Sequence, residues 1–172
     1  MSDTHSYIVR PISSEDVGGL LRLWRLTWTD TYGKTLGPEA VKTMLAGLNE
    51  HGASQIMPGT GERGYCALQA NEMLGSVIFV ARGSVTYLWG MYVHPDFQRR
   101  RVGTLLLQTV LKDAGKNSSI EVRALLSSPH AVSFYKKHGF TIKGEEDLDM
   151  FNGLKAQAVV MVWDGHRQLQ NS

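Results

Sequence analysis

Trp89-Gly-Met-Tyr-Val-His-Pro-Asp-Phe-Gln-Arg-Arg-Arg-Val-Gly-Thr-Leu-Leu-Leu107 is the most informative stretch of this 172-residue chain. Val85 to Val93 is rich in β-branched and aromatic residues, and His94-Pro95-Asp96 is typical of a turn that ends a strand. Beyond the turn, apolar residues recur at helical spacing from Gly103 to Ala114, which predicts a helix with one face on a sheet. The stretch therefore predicts a strand, a tight basic loop and a helix.

The predicted loop has the properties of a phosphate-binding site. At the start of a helix several main-chain N–H groups lack an intrahelical acceptor, and the helix dipole is positive there. Arg99, Arg100 and Arg101 add positive charge and bidentate donors beside these groups. An anion such as a phosphate is the ligand that this combination favours.

The loop resembles the signature of the GNAT superfamily of N-acetyltransferases. That signature is a Gln or Arg, two variable residues, Gly, one variable residue, and then Gly or Ala. Gln98 stands at its first position and Gly103 at its last, whereas Arg101 stands where the first glycine is usual. An arginine fits there if its backbone angles are ordinary, because the left-handed region favours glycine. In the family this loop holds the pyrophosphate of acetyl-CoA, so the resemblance implies acetyl-CoA as the acetyl donor.

A second segment, Ser128-Pro-His-Ala-Val-Ser-Phe-Tyr-Lys-Lys-His-Gly-Phe140, resembles the other cofactor-contacting motif of the family, an Ala, two residues, Phe-Tyr, and then Gly-Phe. Its local chemistry is that of a short helix. Ser128 can cap the helix, Pro129 suits the first helical position, and Gly139 ends it. His138 is expected to cap or pack. The two segments together make the chain similar to GNAT acetyltransferases.

The resemblance implies an α/β fold with a mixed, mostly antiparallel central sheet, splayed between the fourth and fifth strands and flanked by helices. We expect a single domain over residues 1–172, with a frayed tail from residue 165. Turns at residues 70–72 and 82–84 predict three antiparallel strands before the strand that ends at Val93, and residues 120–126 predict its parallel neighbour. Gly90 predicts a β-bulge in the central strand.

The remaining segments are predicted as early helices and loops. One helix is expected from Val17 to a break at Gly33, and another from Pro38. Residues 50–63 and the acidic residues 145–149 are predicted as loops. Gly59-Thr-Gly-Glu-Arg-Gly64 matches the dinucleotide fingerprint, but we interpret the match as accidental, because a strand follows it where the fingerprint needs a helix.

The resemblance also implies the residues of the donor site. Main-chain groups of Met91, Tyr92 and Val93 would pair with the pantetheine arm and hold the thioester oxygen. Tyr135 would protonate the leaving thiolate, although a tyrosine that only packs on the sheet is the alternative. The full set of predicted cofactor-binding residues is Met91, Tyr92, Val93, Gln98, Arg99, Arg100, Arg101, Val102, Gly103, Thr104, His130, Phe134 and Tyr135.

Trp28 and Tyr32 are the candidate residues for the amine acceptor. They continue an aromatic stripe of the first helix, and the alternative is that they belong to the core. The expected acceptor is a small-molecule amine or an amino acid derivative; a protein or peptide amine is the alternative. The general base stays open among His94, Glu121 and Glu62.

Composition narrows the classes of partner. A net charge of +2 gives little support for nucleic acid or membrane binding. The single cysteine excludes an internal disulfide, and no spacing suggests a metal site. We expect a cytoplasmic protein with no nucleic-acid and no membrane partner; a homodimer is left open. Two alternative functions remain: the three arginines from Arg99 to Arg101 bind nucleic acid, or the chain senses acyl-CoA without catalysis.

Overall fold

A seven-stranded sheet forms the centre of the fold in the computed structural model, which describes residues 6–115, 118–151 and 153–168. The strands are β1 (Ile8–Pro11), β2 (Glu62–Gln69), β3 (Glu72–Arg82), β4 (Val85–Val93), β5 (Ser119–Leu125), β6 (Thr141–Phe151) and β7 (Leu154–Asp164). The α-helices are α1 (Val17–Thr27), α2 (Gly33–Thr35), α3 (Pro38–His51), α4 (Ala53–Ile56), α5 (Val102–Ala114), α6 (Pro129–Lys137) and α7 (Gly165–Gln168).

The strand order is β1-β2-β3-β4-β5-β7-β6, and of the paired neighbours β4 and β5 are parallel while the others are antiparallel. The crossover that a parallel pair requires is supplied by α5. The predicted fold class, a mostly antiparallel mixed sheet flanked by helices, is confirmed.

The sheet is splayed between β4 and β5. Their pairing runs from Val85 opposite Ser119 to Leu88 opposite Val122 and then stops. Five further residues of β4 and three of β5 continue beyond that point. The two strand ends therefore leave main-chain groups that do not pair with each other, as predicted for the fourth and fifth strands.

Gly90 forms the predicted bulge in β4. Ser76 of β3 lies opposite Tyr92 and Ile78 lies opposite Trp89, so one residue of β3 faces two residues of β4. Gly90 has a φ of 61°, which a glycine adopts without steric cost. The bulge lies next to the point where β4 leaves β5.

Two hydrophobic clusters cover the two faces of the sheet. Leu106 of α5 packs in a cluster with Val77, whereas Leu20 of α1 and Met44 of α3 pack in a cluster with Ile78. Because neighbouring residues of a strand point to opposite faces, these clusters lie on opposite sides of β3. Helix α5 therefore anchors the basic loop to one face, and the early helices cover the other.

The predicted acidic loop at residues 145–149 is wrong, because these residues belong to β6. This strand lies at the edge of the sheet and pairs with β7 along its length. Acidic residues have low β-propensity, but on an edge strand their charges remain in water and discourage pairing with another chain. Pairing with β7 overrides the local preference.

The expected loop at residues 50–63 is also wrong in part. Helix α3 continues to His51, α4 follows, and β2 begins at Glu62. Ile56 explains the short helix, since it is fully buried in the cluster of the early helices. The glycine-rich match at residues 59–64 leads into β2 and not into a helix, in agreement with an accidental match.

The first helix does not break at Gly33. Residues Trp28–Tyr32 form a π-helix, and α2 follows directly. Gly33 has helical angles, whereas Gly37 has a φ of 89° and separates the helix from α3. At the other end of the chain, Gly165–Gln168 form a helical turn where a frayed tail was expected, and the rest of that tail lies outside the described residues.

Candidate active site

The start of α5 presents a set of main-chain donors. The Leu105 N–H donates to the Arg101 carbonyl oxygen at 3.0 Å, and no side chain caps the helix. Within residues 6–115, 118–151 and 153–168, the N–H groups of residues 101–104 have no protein acceptor. Helix α5 thus carries donors and the positive end of its dipole to one point, which is a favourable place for phosphate oxygens.

Arg99 and Arg101 both have left-handed backbone angles, with φ values of 63° and 68°. The condition of ordinary backbone angles, under which an arginine fits this position easily, is not met at Arg101. A left-handed conformation costs a residue with a Cβ roughly 1 to 2 kcal/mol. The loop therefore keeps the turn that a glycine would allow, with an exposed guanidinium beside the free N–H groups.

The two recognition motifs pack directly against each other. A Cβ built on Gly103 would lie 3.4 Å from Phe134 Cζ and 3.5 Å from Val93 Cγ2. Thr104 Oγ1 lies 3.3 Å from His138 Nε2, and His138 Nδ1 lies 2.8 Å from the Phe134 carbonyl oxygen. With Nδ1–H as the donor to this carbonyl, Nε2 accepts from the threonine hydroxyl. His138 thus caps α6 and joins it to α5.

The end of β4 directs main-chain groups into the splay. The His94 N–H donates to the Leu74 carbonyl oxygen of β3 at 2.7 Å. Since successive residues of a strand direct these groups to opposite sides, the Val93 N–H points away from β3, toward the diverging β5. Gln98 Nε2 donates to the Val93 carbonyl oxygen at 3.4 Å, which holds the basic loop against this end of the strand.

Tyr135 of α6 is a buried tyrosine with an unused hydroxyl. Its side chain is 6% exposed, and it packs on Phe134 and Phe140 with ring centroids 5.2 Å away in each case. Within the described part of the chain no hydrogen bond to this hydroxyl is found. Burial, and then the nearby Tyr32, raise the pKa of Tyr135 above its ordinary value, which favours the protonated hydroxyl.

The aromatic stripe of the early helices is mostly core. Trp28 is 1% exposed, and its ring lies 5.5 Å from Trp24 and 6.2 Å from Tyr92. Trp24 and Tyr92 are 4.9 Å apart. Tyr32, at the end of the π-helix, is half-buried and packs against two of the hydrophobic clusters. Of the two predicted acceptor residues, Tyr32 is the more accessible.

Tyr32 and Tyr92 pack against the same hydrophobic cluster from different elements, and Tyr135 of α6 is near enough to interact electrostatically with both. Burial raises the pKa of Tyr92 well above its ordinary value, and interaction with Tyr32 adds to this. Burial also raises the pKa of Tyr32, while a hydrogen-bonding interaction with Tyr92 partly opposes the rise. Periodicity shows none of this, because residues 32, 92 and 135 lie in separate parts of the sequence. No sequence signal links their hydroxyls.

The three candidate general bases are engaged elsewhere. His94 Nδ1 accepts from the Asp96 N–H at 3.1 Å and braces the turn. Glu121 forms an ion pair with Arg123 at 2.7 Å. Glu62 accepts from the Gly59 N–H at 2.7 Å in the loop before β2. None of the three belongs to the tyrosine group.

The other predicted donor-site residues lie around the same loop. Met91 is partly buried under α5, and Val102 is fully buried in the same cluster. Arg100 is exposed and lies over the Phe97 ring, 5.4 Å from its centroid. His130 is exposed in the first turn of α6. Met91, Val102 and Tyr135 thus belong to one hydrophobic cluster, whereas the Tyr92 side chain packs with the early helices.

Comparison with known families agrees with this arrangement. A family model described as an acetyltransferase (GNAT) domain matches residues 60–142, from just before β2 to the start of β6. Residues 60–142 thus resemble a GNAT acetyltransferase domain. The resemblance inferred from the two motifs is confirmed. The domain is similar in fold to the PaiA N-acetyltransferase of Thermoplasma acidophilum, solved in complex with coenzyme A, with a TM-score of 0.73 at 20% identity over 92% of this chain and 99% of that one.

Proteins similar in sequence to this chain include N-acetyltransferases. This chain is 34% identical over 64 residues to an uncharacterised N-acetyltransferase, ycf52, of Gracilaria tenuistipitata var. liui. The match covers 37% of this chain and only 35% of the relative. The chain thus matches about a third of that relative's length. It is 24% identical over 150 residues to a spermidine N(1)-acetyltransferase of Thermoplasma acidophilum, covering 82% of this chain and 92% of the relative.

Two features are absent from the described residues. Residues 6–115, 118–151 and 153–168 contain no helix long and apolar enough to cross a bilayer. The same ranges contain no group of three or more His, Cys, Asp or Glu side chains that could hold a metal ion.

Proposed function

We propose that this GNAT domain transfers the acetyl group of acetyl-CoA directly to the primary amine of a small molecule. The observation that carries the proposal is the packing of the two motifs at the splay. In this proposal the free N–H groups of residues 101–104 and the buried hydroxyl of Tyr135 would both face the acyl thioester. Donors for phosphates at one end and a buried acid at the other suit a phosphorylated thioester.

The residues present fit acetyl-CoA as a substrate. The N–H groups of residues 101–104 would hold the pyrophosphate, with Arg99 and Arg101 beside it. The free edge of β4 at Val93 would pair with the amides of the pantetheine arm, as an added strand pairs with a sheet edge. The thioester would then lie near Tyr135.

The transfer then requires no covalent enzyme intermediate. The amine nitrogen forms a bond to the thioester carbon, and the carbonyl oxygen takes the negative charge, which the Val93 N–H can stabilise. The C–S bond then breaks, the C=O bond re-forms, and Tyr135 gives its proton to the thiolate. The proton lost by the nitrogen replaces the proton that Tyr135 gave. The overall reaction converts an amine and a thioester into an amide and a thiol.

A small amine is favoured as the acceptor. Tyr32 packs in one cluster with Leu148 and Met150 of β6, so the acidic strand lies next to the accessible part of the aromatic wall. An apolar and aromatic surface suits an amine with an apolar body and a cationic head. The relative of similar length that acts on spermidine supports the same class. Peptide and protein amines are the alternative.

The proposal is tested by measuring acetyl-CoA binding and the release of free coenzyme A with a panel of amines, amino acids and short peptides. Gly103→Asp is expected to lower acetyl-CoA affinity at least tenfold, roughly 1.4 kcal/mol, because it places a carboxylate beside the phosphates. Gly103→Asn is the matched control, since it adds nearly the same volume without the charge.

The outcomes separate the alternatives. Turnover of peptides alone would contradict the small-molecule acceptor. Binding of acetyl-CoA without turnover of any amine would favour a sensor over an enzyme. Equal affinities of the Asp and Asn variants would contradict the phosphate site at the start of α5.

A further inference from the structure

His138 links the end of α6 to the first turn of α5. Its Nδ1 lies 2.8 Å from the Phe134 carbonyl oxygen, and its Nε2 lies 3.3 Å from Thr104 Oγ1. The imidazole also packs on the Phe134 ring, with centroids 4.4 Å apart, and a Cβ on Gly103 would lie 3.4 Å from that phenyl ring. The imidazole therefore lies beside the turn that carries the free N–H groups.

Thr104 stands between this imidazole and the start of α5. It is the third residue of the helix, and its N–H is one of those without an acceptor in the described part of the chain. Side chains of a helix tilt toward its N-terminus, so the Thr104 hydroxyl leans toward these donors. A hydroxyl has one hydrogen to donate. What it offers to a phosphate at the start of α5 depends on where that hydrogen points.

The charge of His138 decides this direction. In the neutral ring Nδ1–H donates to the Phe134 carbonyl oxygen, so Nε2 carries no hydrogen and accepts that of Thr104. The threonine oxygen then turns only lone pairs toward a phosphate, and two acceptors do not bind each other. In the imidazolium both nitrogens donate, so Nε2–H binds the Thr104 oxygen and the threonine hydrogen is free for a phosphate oxygen.

The charges around the ring favour the same coupling. The elements that contact His138 are α5 and α6, and Asp113 is the one carboxyl among their charged and titratable side chains. With the N-cap of α5, these are Arg101, Lys112, Asp113, His130, Tyr135, Lys136 and Lys137. Asp113 is held by Arg63 and Tyr65, and within residues 6–115, 118–151 and 153–168 no carboxylate forms an ion pair with His138. A bound phosphate would supply a negative charge beside the ring.

We propose that His138 is a positioning residue of the acetyl-CoA site and that, once protonated, it turns the Thr104 hydroxyl toward a phosphate of the cofactor. This inference rests on the phosphate site proposed above at the start of α5. The proton comes from solvent, which the half-buried His138 can reach. Proton uptake by the ring and phosphate binding then favour each other, because coupling between two ligands is reciprocal.

Calorimetry of acetyl-CoA binding in two buffers of different ionisation enthalpy measures the protons taken up. At pH 7 the parent should take up more protons than His138→Gln, whose amide has no charge to gain. Both proteins bind the same ligand, so their difference excludes the protons of the cofactor's own phosphates. Histidine ordinarily changes charge near neutral pH, so from about pH 6 to about pH 8.5 the parent's affinity should fall about tenfold more than that of His138→Gln.

The hydroxyl is tested with a matched pair of variants. Thr104→Val keeps the shape of the side chain without the hydroxyl and should take up fewer protons than Thr104→Ser, which keeps the hydroxyl. His166→Gln removes an exposed histidine of α7 and should behave as the parent. Nitrogen-15 spectra of the imidazoles require no substitution that touches the site, and acetyl-CoA should move the His138 ring toward the imidazolium at pH 7.

The outcomes are distinct. If the parent binds acetyl-CoA but shows the proton uptake and pH profile of His138→Gln, His138 only caps α6, and its role is overturned while the proposed function stands. Equal uptake by Thr104→Val and Thr104→Ser, or an unchanged His138 ring in the nitrogen-15 spectra, would equally overturn it. If the parent does not bind acetyl-CoA, the phosphate site fails and this role with it.

Discussion

Arg101 shows how one residue can carry both charge and strain. Replacing it with glycine is expected to raise the free energy of unfolding by roughly 1 kcal/mol, because the left-handed angle no longer costs energy. Arg101→Ala loses the same charge but keeps the Cβ, so it should give no gain. Thermal unfolding measures both variants, and equal stabilities would contradict the strain.

The charge of Arg101 acts on a different quantity. Both variants lose a cation near the predicted phosphates, so both should bind acetyl-CoA more weakly than the parent. Calorimetry would separate this effect from the gain in stability, which belongs to the glycine variant alone.

Tyr135 offers a test of general acid catalysis. Tyr135→Phe is expected to lower kcat about 100-fold with little change in the apparent KM for acetyl-CoA, since only the hydroxyl is removed. Its raised pKa keeps the hydroxyl protonated as the pH rises, so loss of the acid should occur only above its ordinary value of 10. A kcat within threefold of the parent, measured where chemistry limits the rate, would make Tyr135 a packing residue.

At this scale the sequence predicts residues that belong to contiguous motifs. The loop after β4 and the helix α6 were both recognisable, because each is a short run with its own turn and cap chemistry. The strain at Arg101 is not recognisable from the sequence, because residue type alone does not give φ. The group of Tyr32, Tyr92 and Tyr135 is not recognisable either, because it depends on a π-turn and on packing between three distant elements.

Among the elements, β1 and the start of α1 are joined by an ion pair between a partly exposed Arg10 and a buried Asp16. Both oxygens of Asp16 accept from Arg10, at 2.8 and 2.9 Å, and the Ser13 N–H donates to the same carboxylate at 2.7 Å. The bond from Arg10, opposed by burial and aided by Ser13, lowers the pKa of Asp16 from 3.8 to about 2. The carboxylate thus holds the edge strand to the first helix.

Asp16→Asn is expected to lower the free energy of unfolding by about 2 kcal/mol at pH 7. Because the folded pKa is depressed, this stability is present above about pH 4 and is lost as the pH falls toward 2. The difference between parent and variant should therefore shrink over that interval in thermal unfolding. Glu15→Gln, at an exposed neighbour, should stay within about 0.5 kcal/mol at pH 7. A constant difference from pH 7 to pH 2 would contradict the assignment.

The elements themselves were predicted to different degrees. The hairpins and the parallel strand had clear turn and apolar patterns. Strand β6 was missed because its acidic residues carry a loop signal, and only pairing with β7 makes them extended. Helix α4 was missed because four residues are too few for a periodic pattern, and Ile56 alone explains it.

For the whole molecule, the short contact between β4 and β5 links ligand binding to stability. Acetyl-CoA that pairs with both diverging strands would bridge the two parts of the sheet. At a free concentration 100 times its dissociation constant, acetyl-CoA should raise the free energy of unfolding by about 2.7 kcal/mol and the melting temperature by about 5 to 10 °C. Differential scanning calorimetry measures this shift.

The control for this shift is Gly103→Asp at the same acetyl-CoA concentration. Because its affinity should be at least tenfold lower, its melting temperature should rise less. Hydrogen exchange should slow at residues 89–93 and 123–125 of the parent when acetyl-CoA is added. A shift without slower exchange in both strands would mean that the ligand stabilises the fold without bridging the splay.

The short contact between β4 and β5 also affects how the chain folds. Strands β1 to β4 and strands β5 to β7 are each contiguous in the sequence, and the contact between them is four residue pairs reached through a long crossover. Hairpins close short loops, whereas a parallel pair must first order its crossover helix. We therefore expect the two parts of the sheet to form early and the β4–β5 contact to form last. Shortening the side chain of Leu88 or Val122 should then speed unfolding far more than it slows folding.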